Sequence, residues 1–144
     1  MPRIEFHFNA PALLPYTCRL LRKVLGQGLR AQVVGLPSML GQLDQMLWTF
    51  SAPDFLPHAG PESATALRQA SAILLAEQPQ ADWAAPVLVN LGESVPSGFE
   101  RFERVVEVVS LDDLQRAQAR ARWREYSQRG HALIRHDLAQ ASTA

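Results

Sequence analysis

Hydrophobic and polar positions alternate strictly along IEFHFN, residues 4–9. Ile4, Phe6 and Phe8 fall on one side and Glu5 and His7 on the other, a period of two that predicts a strand, closed by Asn9 and Pro11. The period then changes. Leu14, Cys18, Leu21 and Leu25 recur at helical spacing with Arg19, Arg22 and Lys23 between them, which predicts a helix over residues 13–25. Gly26 and Gly28 stop it. AQVVG, residues 31–35, reads as a short buried strand. Ser38 is placed to cap a second helix through MLGQLDQMLW, ending near Thr49. This strand–helix–strand–helix order predicts parallel strands joined by a right-handed crossover.

Pro53, Pro57, Gly60 and Pro61 interrupt FSAPDFLPHAGP and predict no regular structure there. Residues 63–69 read as helix, and SAILL, residues 71–75, either continues that helix or forms a strand, the strand being the favoured reading. A polar loop follows over residues 78–84. PVLVNL, residues 86–91, is a buried strand, residues 99–102 a helical turn, and RVVEVV, residues 104–109, another strand. The last helix is predicted over residues 111–129, with Ser110 as its cap and Asp112 and Asp113 favourable in its first turn. After Gly130 the pattern is lost, and residues 139–144 are expected to fray. The sum is one three-layer α/β domain over residues 1–138, Rossmann-like, with a mostly parallel sheet and helices on both faces.

Composition narrows the function. A chain of 144 residues suits one domain with a real core. It has no apolar run of roughly 18–20 residues, so no membrane span is expected. The N-terminus reads as a strand rather than a signal peptide, and the lone Cys18 excludes an internal disulfide, so a cytoplasmic setting is expected. Acidic and basic residues balance at 14 each, which argues against a general nucleic-acid binder.

The chemistry of an enzyme is missing. The turn after the first strand, NAPALLP, has no glycine, and no phosphate loop occurs elsewhere, so no nucleotide cofactor is expected. His7, His58, His131 and His136 are scattered, without metallohydrolase spacing, and no metal is expected. Asp44, Asp54 and Asp112 form no evident acid–base pair, and no nucleophile elbow appears. Catalytic residues are therefore predicted to be absent.

Two stretches carry chemistry of another kind. Between residues 116 and 135 stand Arg116, Arg120, Arg122, Arg124, Arg129 and Arg135 against the single acid Glu125. Arg116, Arg120 and Arg124 share one helix face, and Trp123 lies beside them. Such a row is either a solvated surface or a holder for a carboxylate joined to an apolar group. Trp48, Phe50, Phe55 and Leu56 form the second stretch, stiffened by Pro53 and Pro57. These side chains either plug the core beneath a long loop or present a partner-binding patch.

Taken together, LDQMLWTFSAPDFLPH, PVLVNL, FERVVEVVSLDD and RARWREYSQRGHAL resemble the chi subunit family of bacterial DNA polymerase III holoenzyme, in the same order over residues 4–138. The resemblance implies a Rossmann-like clamp-loader accessory protein that is not itself catalytic and holds no nucleotide. It implies binding of the acidic C-terminal tail of single-stranded DNA-binding protein at Val109, Arg120, Trp123 and Arg124, with Arg116 contributing from outside. Arg120 would meet the terminal carboxylate and Arg124 the aspartates, while Val109 and Trp123 would flank the final Pro-Phe. Arg124 stands where the family often has lysine. The resemblance also implies a second surface for the psi subunit at Trp48, Phe55, Leu56 and Pro57, for which a functional equivalent such as a helicase is the other candidate. DNA would be engaged only indirectly. The competing readings are direct binding of single-stranded nucleic acid by the arginine helix and, on fold class alone, a nucleotide-utilising enzyme.

Overall fold

In the computed structural model, which describes residues 2–49 and 57–141, the alternation of the first stretch becomes a strand buried on both faces. This strand, β1 (Arg3–Ala10), lies between β6 (Arg104–Ser110) and β7 (Leu133–Asp137). The remaining strands are β2 (Ala31–Val34), β3 (His58–Ala59), β4 (Ile73–Ala76) and β5 (Val87–Asn90). Every pairing is parallel, in the order β3-β4-β2-β5-β6-β1-β7. β1 and β2 are thus parallel as expected, but β6 and β5 lie between them. Strands this deeply covered need apolar residues at successive positions, as in ILLA of β4 and VVEVV of β6.

Two helices, α1 (Leu13–Gly26) and α2 (Pro37–Thr49), cover one face. Leu20, Leu21 and Val24 of α1 and Leu40, Leu43 and Leu47 of α2 join Val33, Ile73, Val87, Val89, Val106 and Val108 in one cluster, where Cys18 is fully buried. Pro37 opens α2, so Ser38 lies inside the helix rather than at its cap; proline suits the first helical position because the missing N–H has no partner there.

The long helix α4 (Asp113–Gln128) covers the other face beside β1 and β6. Ala119 and Tyr126 pack there with Ile4, Phe6, Phe99, Val105 and Val109. Farther along this face the polar loop is mostly exposed, but it carries one buried ring. Trp83 is buried against Leu74 and Ala59, its indole N–H donates to the Arg68 carbonyl at 2.9 Å, and the Arg30 guanidinium lies 3.7 Å from its ring centroid. The amide of Gln32, itself buried, donates to the carbonyls of Gln80 and Trp83 and so pins the loop to β2.

Three other local expectations change. A short α3 (Thr65–Ala70) precedes β4, so the helix expected over residues 63–69 and the strand of residues 71–75 are both present with shifted ends. His58 and Ala59 form a two-residue strand inside the proline-rich stretch, because pairing with Ile73 and Leu74 needs only that length. The segment after Gly130 is β7, followed by the helical turn α5 (Leu138–Ala141). Its pattern was hidden because an edge strand covers little of its surface, and Ile134, Arg135 and His136 are all exposed.

Candidate functional site

A cavity of about 380 Å³ opens between α4 and the β6–β1–β7 edge of the sheet. Phe6, Phe8, Val109 and Ala119 form its apolar floor, and Arg116, Arg120, Trp123 and Arg135 stand around it. The alternation of β1 places Phe6 and Phe8 on the α4 side. Trp123 meets Phe6 edge-on at 5.0 Å between centroids, an arrangement that fixes the indole as a wall. Across the cavity the Arg135 guanidinium lies 5.0 Å from the Phe8 ring centroid.

α4 is held at its start by its own sequence. The Asp112 carboxylate accepts from the Gln115 backbone N–H at 3.0 Å and is the cap in place of Ser110. Ser110 instead accepts from the Asp112 N–H and donates to the Gln115 side chain at 2.6 Å. Gly130, at φ +88°, ends the helix in a conformation that L side chains rarely adopt.

The arginines of α4 divide into two kinds. Arg122 is buried: its Nε donates to the fully buried Glu107 at 2.9 Å, and its Nη1 donates to the Glu93 carbonyl. Asn90 and the Tyr126 hydroxyl also donate to Glu107, the latter at 2.8 Å. Burial pushes the Glu107 carboxyl upward, and Arg122 pulls it back, followed by Asn90 and Tyr126. Burial, reinforced by Glu107, pushes the Tyr126 phenol far up, so it stays a donor.

Arg116, Arg120 and Arg135 make no ion pair with an acidic side chain among the described residues. Among the described residues the cavity lining contains no carboxylate. Free guanidinium groups around an apolar floor make a site for an anionic group attached to an apolar one.

Val109, Arg116, Arg120 and Trp123 are therefore brought together. Arg124 is exposed and lies outside the cavity lining, because the cavity follows Arg116, Arg120 and Trp123 at i, i+4, i+7. Sequence reasoning missed Phe6, Phe8 and Arg135 as members. The alternation of the first strand was a signal for the two rings, whereas nothing announced that the segment after Gly130 would pair with it.

Of the second patch, Phe55 and Leu56, with the neighbouring Phe50, lie outside the described residues. Trp48 is 60% exposed and meets His58 edge-on at 5.2 Å. Pro57 is half-buried, and its carbonyl accepts from the N–H groups of Ala72 and Ile73.

The histidines are less scattered than they look. Parallel pairing of β1 and β7 sets His7 opposite His136, and both approach Glu5. Burial raises the Glu5 carboxyl, but hydrogen bonds from His7 and Arg104, with their charges, outweigh it and hold the group well below the usual carboxylate range. Among the described residues no helix is long and apolar enough to cross a membrane.

The fold and this cavity define a class: a Rossmann-like domain without a glycine-rich phosphate turn, whose arginine-rimmed groove lies along a helix flank. Residues 1–134 match the family model described as DNA polymerase III chi subunit, HolC. The chain is also 31% identical over 143 residues to the DNA polymerase III subunit chi of Pseudomonas aeruginosa, covering 96% of this chain and 98% of that protein. The chain belongs to the DNA polymerase III chi subunit family.

Proposed function

We propose that this protein is a non-catalytic accessory subunit of the polymerase holoenzyme that binds the acidic C-terminal tail of single-stranded DNA-binding protein and links it to the clamp loader. The observation that carries the reading is the carboxylate-free cavity between α4 and β1, with Arg116, Arg120 and Arg135 around Phe6, Val109 and Trp123. A tail ending in an apolar residue has a terminal carboxylate and a side chain on the same residue. Arg120 takes the carboxylate, the apolar floor takes the ring, and the exposed Arg124 meets upstream aspartates from outside. A charged hydrogen bond contributes roughly 1.5–3 kcal/mol, and burying a phenylalanine side chain about the same. After the cost of ordering a flexible tail, the affinity is about micromolar.

The second surface, around Trp48 and Pro57, is the proposed seat of psi or of a functional equivalent such as a helicase. Its support is a large ring left mostly in solvent on a helix end.

Titration with a peptide ending in Asp-Asp-Ile-Pro-Phe tests the first reading. Binding is expected to weaken when the terminal phenylalanine is removed and when Arg120 is replaced by alanine. Equal binding in all three cases overturns it. Tight binding of an oligonucleotide alone at moderate salt would instead assign the groove to nucleic acid.

A further inference from the structure

On the opposite face of β1, three groups with metal-ligand chemistry converge: the Glu5 carboxylate, the His7 imidazole and the His136 imidazole, with ligand atoms all within 4.8 Å of one another. The two histidines come from opposite ends of the chain and meet because the β1–β7 register pairs them directly. Glu5 Oε1 lies 2.9 Å from His7 Nε2 and 3.6 Å from His136 Nε2. A zinc ion bound to imidazole nitrogen and carboxylate oxygen at about 2.0–2.1 Å sets neighbouring ligand atoms about 3.3 Å apart in tetrahedral geometry. The two separations bracket that value. We infer that Glu5, His7 and His136 form a binding site for a divalent transition metal, zinc above all, at the edge of the sheet.

The surroundings suit the assignment. Glu5 and His7 are buried and fixed, whereas His136 is half in solvent and leaves an open side for entry and for a water as fourth ligand. The outer contacts orient the ligands. Arg3 and Arg104 donate to Glu5 Oε2 at 2.8 Å each, which leaves Oε1 turned toward the imidazoles, although Arg104 Nη2 also reaches Oε1 at 3.0 Å. The Tyr16 hydroxyl lies 2.6 Å from His7 Nδ1. A hydroxyl both donates and accepts, so it serves either tautomer. Without metal, an Nε2–H of His7 bridges to Glu5, and the Tyr16 hydroxyl faces Nδ1. With metal on Nε2, the proton moves to Nδ1 and Tyr16 accepts it. The two guanidinium groups oppose a bound dication, so binding is moderate rather than tight. A bound ion ties β7 to β1 through side chains as well as the backbone ladder.

Calorimetric titration of tag-free, chelator-treated protein with Zn2+ tests the site, together with the visible spectrum of the Co2+ form. One ion per chain is expected, with nitrogen-ligated four-coordinate cobalt bands and slower amide exchange in β7. His136→Ala, a change at a half-exposed position that leaves folding intact, is expected to weaken binding at least tenfold. Ile134→Ala, on the same strand but without a ligand atom, is expected to bind as the wild type does. Absence of binding, or wild-type affinity in His136→Ala, overturns the site.

Discussion

Arg122 donates to Glu107 over 2.9 Å inside the protein, from a helix whose other arginines are exposed or, for Arg116, half-buried at the cavity. The two side chains are 6% and 0% exposed, so each is the main charge partner of the other. This pair separates the arginines of α4 into structural and binding groups. Arg122→Ala would strand a buried carboxylate still bonded to Asn90 and Tyr126. It is expected to cost roughly 3–5 kcal/mol in denaturant unfolding. Arg120→Ala, at an exposed position, is expected to change stability by no more than about 0.5 kcal/mol. A small loss for Arg122→Ala would show that Glu107 is protonated and needs no countercharge.

Within the groove, binding and stability should come apart. Arg120→Ala and Arg135→Ala each remove one free guanidinium and are expected to weaken the tail peptide roughly tenfold or more, since a charged hydrogen bond is worth about 1.5–3 kcal/mol. Added salt should weaken the wild type more than either variant, because fewer charges remain to be screened. Arg124→Ala, lying outside the lining, should show a smaller loss and most of its effect at low salt. An equal loss for Arg124 and Arg120 would mean the terminal carboxylate sits elsewhere. Fluorescence anisotropy of a labelled peptide at two salt concentrations measures both quantities.

Trp48 has the opposite character from Trp83. Trp83 is 5% exposed and pinned by its indole N–H, so Trp83→Ala should lower stability by roughly 3–5 kcal/mol. Trp48 is mostly in solvent and meets the His58 ring edge-on. Its replacement by alanine should cost about 0.5–1.5 kcal/mol, the scale of one aromatic pair. If the proposed psi-facing surface is right, that variant loses the partner in a pull-down while keeping the tail peptide. Loss of both would indicate a folding defect.

Cys18 gives a probe of opening that needs no label. Its thiol is enclosed by α1 and the sheet, and burial pushes its pKa up to about 11, against a smaller opposing pull from Arg19. The thiolate is the reactive form, so in the native protein at about pH 8 reaction with a disulfide reagent should be slow and limited by unfolding. In denaturant one thiol per chain should react at the rate of a free cysteine. Fast reaction under native conditions would place α1 off the sheet.

Most of the fold was legible because the periodicities of β1, α1, β2, α2, β5, β6 and α4 are those of covered elements. What escaped was set by distant pairing. Arg122 reads in sequence like its neighbours, and only Glu107 across the α4–β6 contact explains its burial. β7 has no alternation of its own because it borrows one from β1 as an edge strand, and with it come Arg135 for one face and His136 for the other. The groove's α4 and β6 side chains were therefore readable from spacing and its two rings from the alternation of β1, whereas Arg135 depended on a register that no local signal encodes.

The Glu5 cluster makes the final prediction, which concerns acid. His7 and Arg104 outweigh burial and hold the folded-state carboxyl below its ordinary value near 4.5. The unfolded chain therefore takes up the proton more readily than the folded one. The stability this group contributes is fully present above about pH 4.5 and is lost as pH falls below it toward the folded value. Glu5→Gln removes the titrating group and leaves two arginines without their shared partner. The gap in urea midpoint between wild type and Glu5→Gln should be widest near neutral pH, begin to narrow below about pH 5 and go on narrowing through pH 3 toward the folded-state value. A gap that stays constant to pH 3 would show that the folded protein holds the neutral acid as well as the carboxylate.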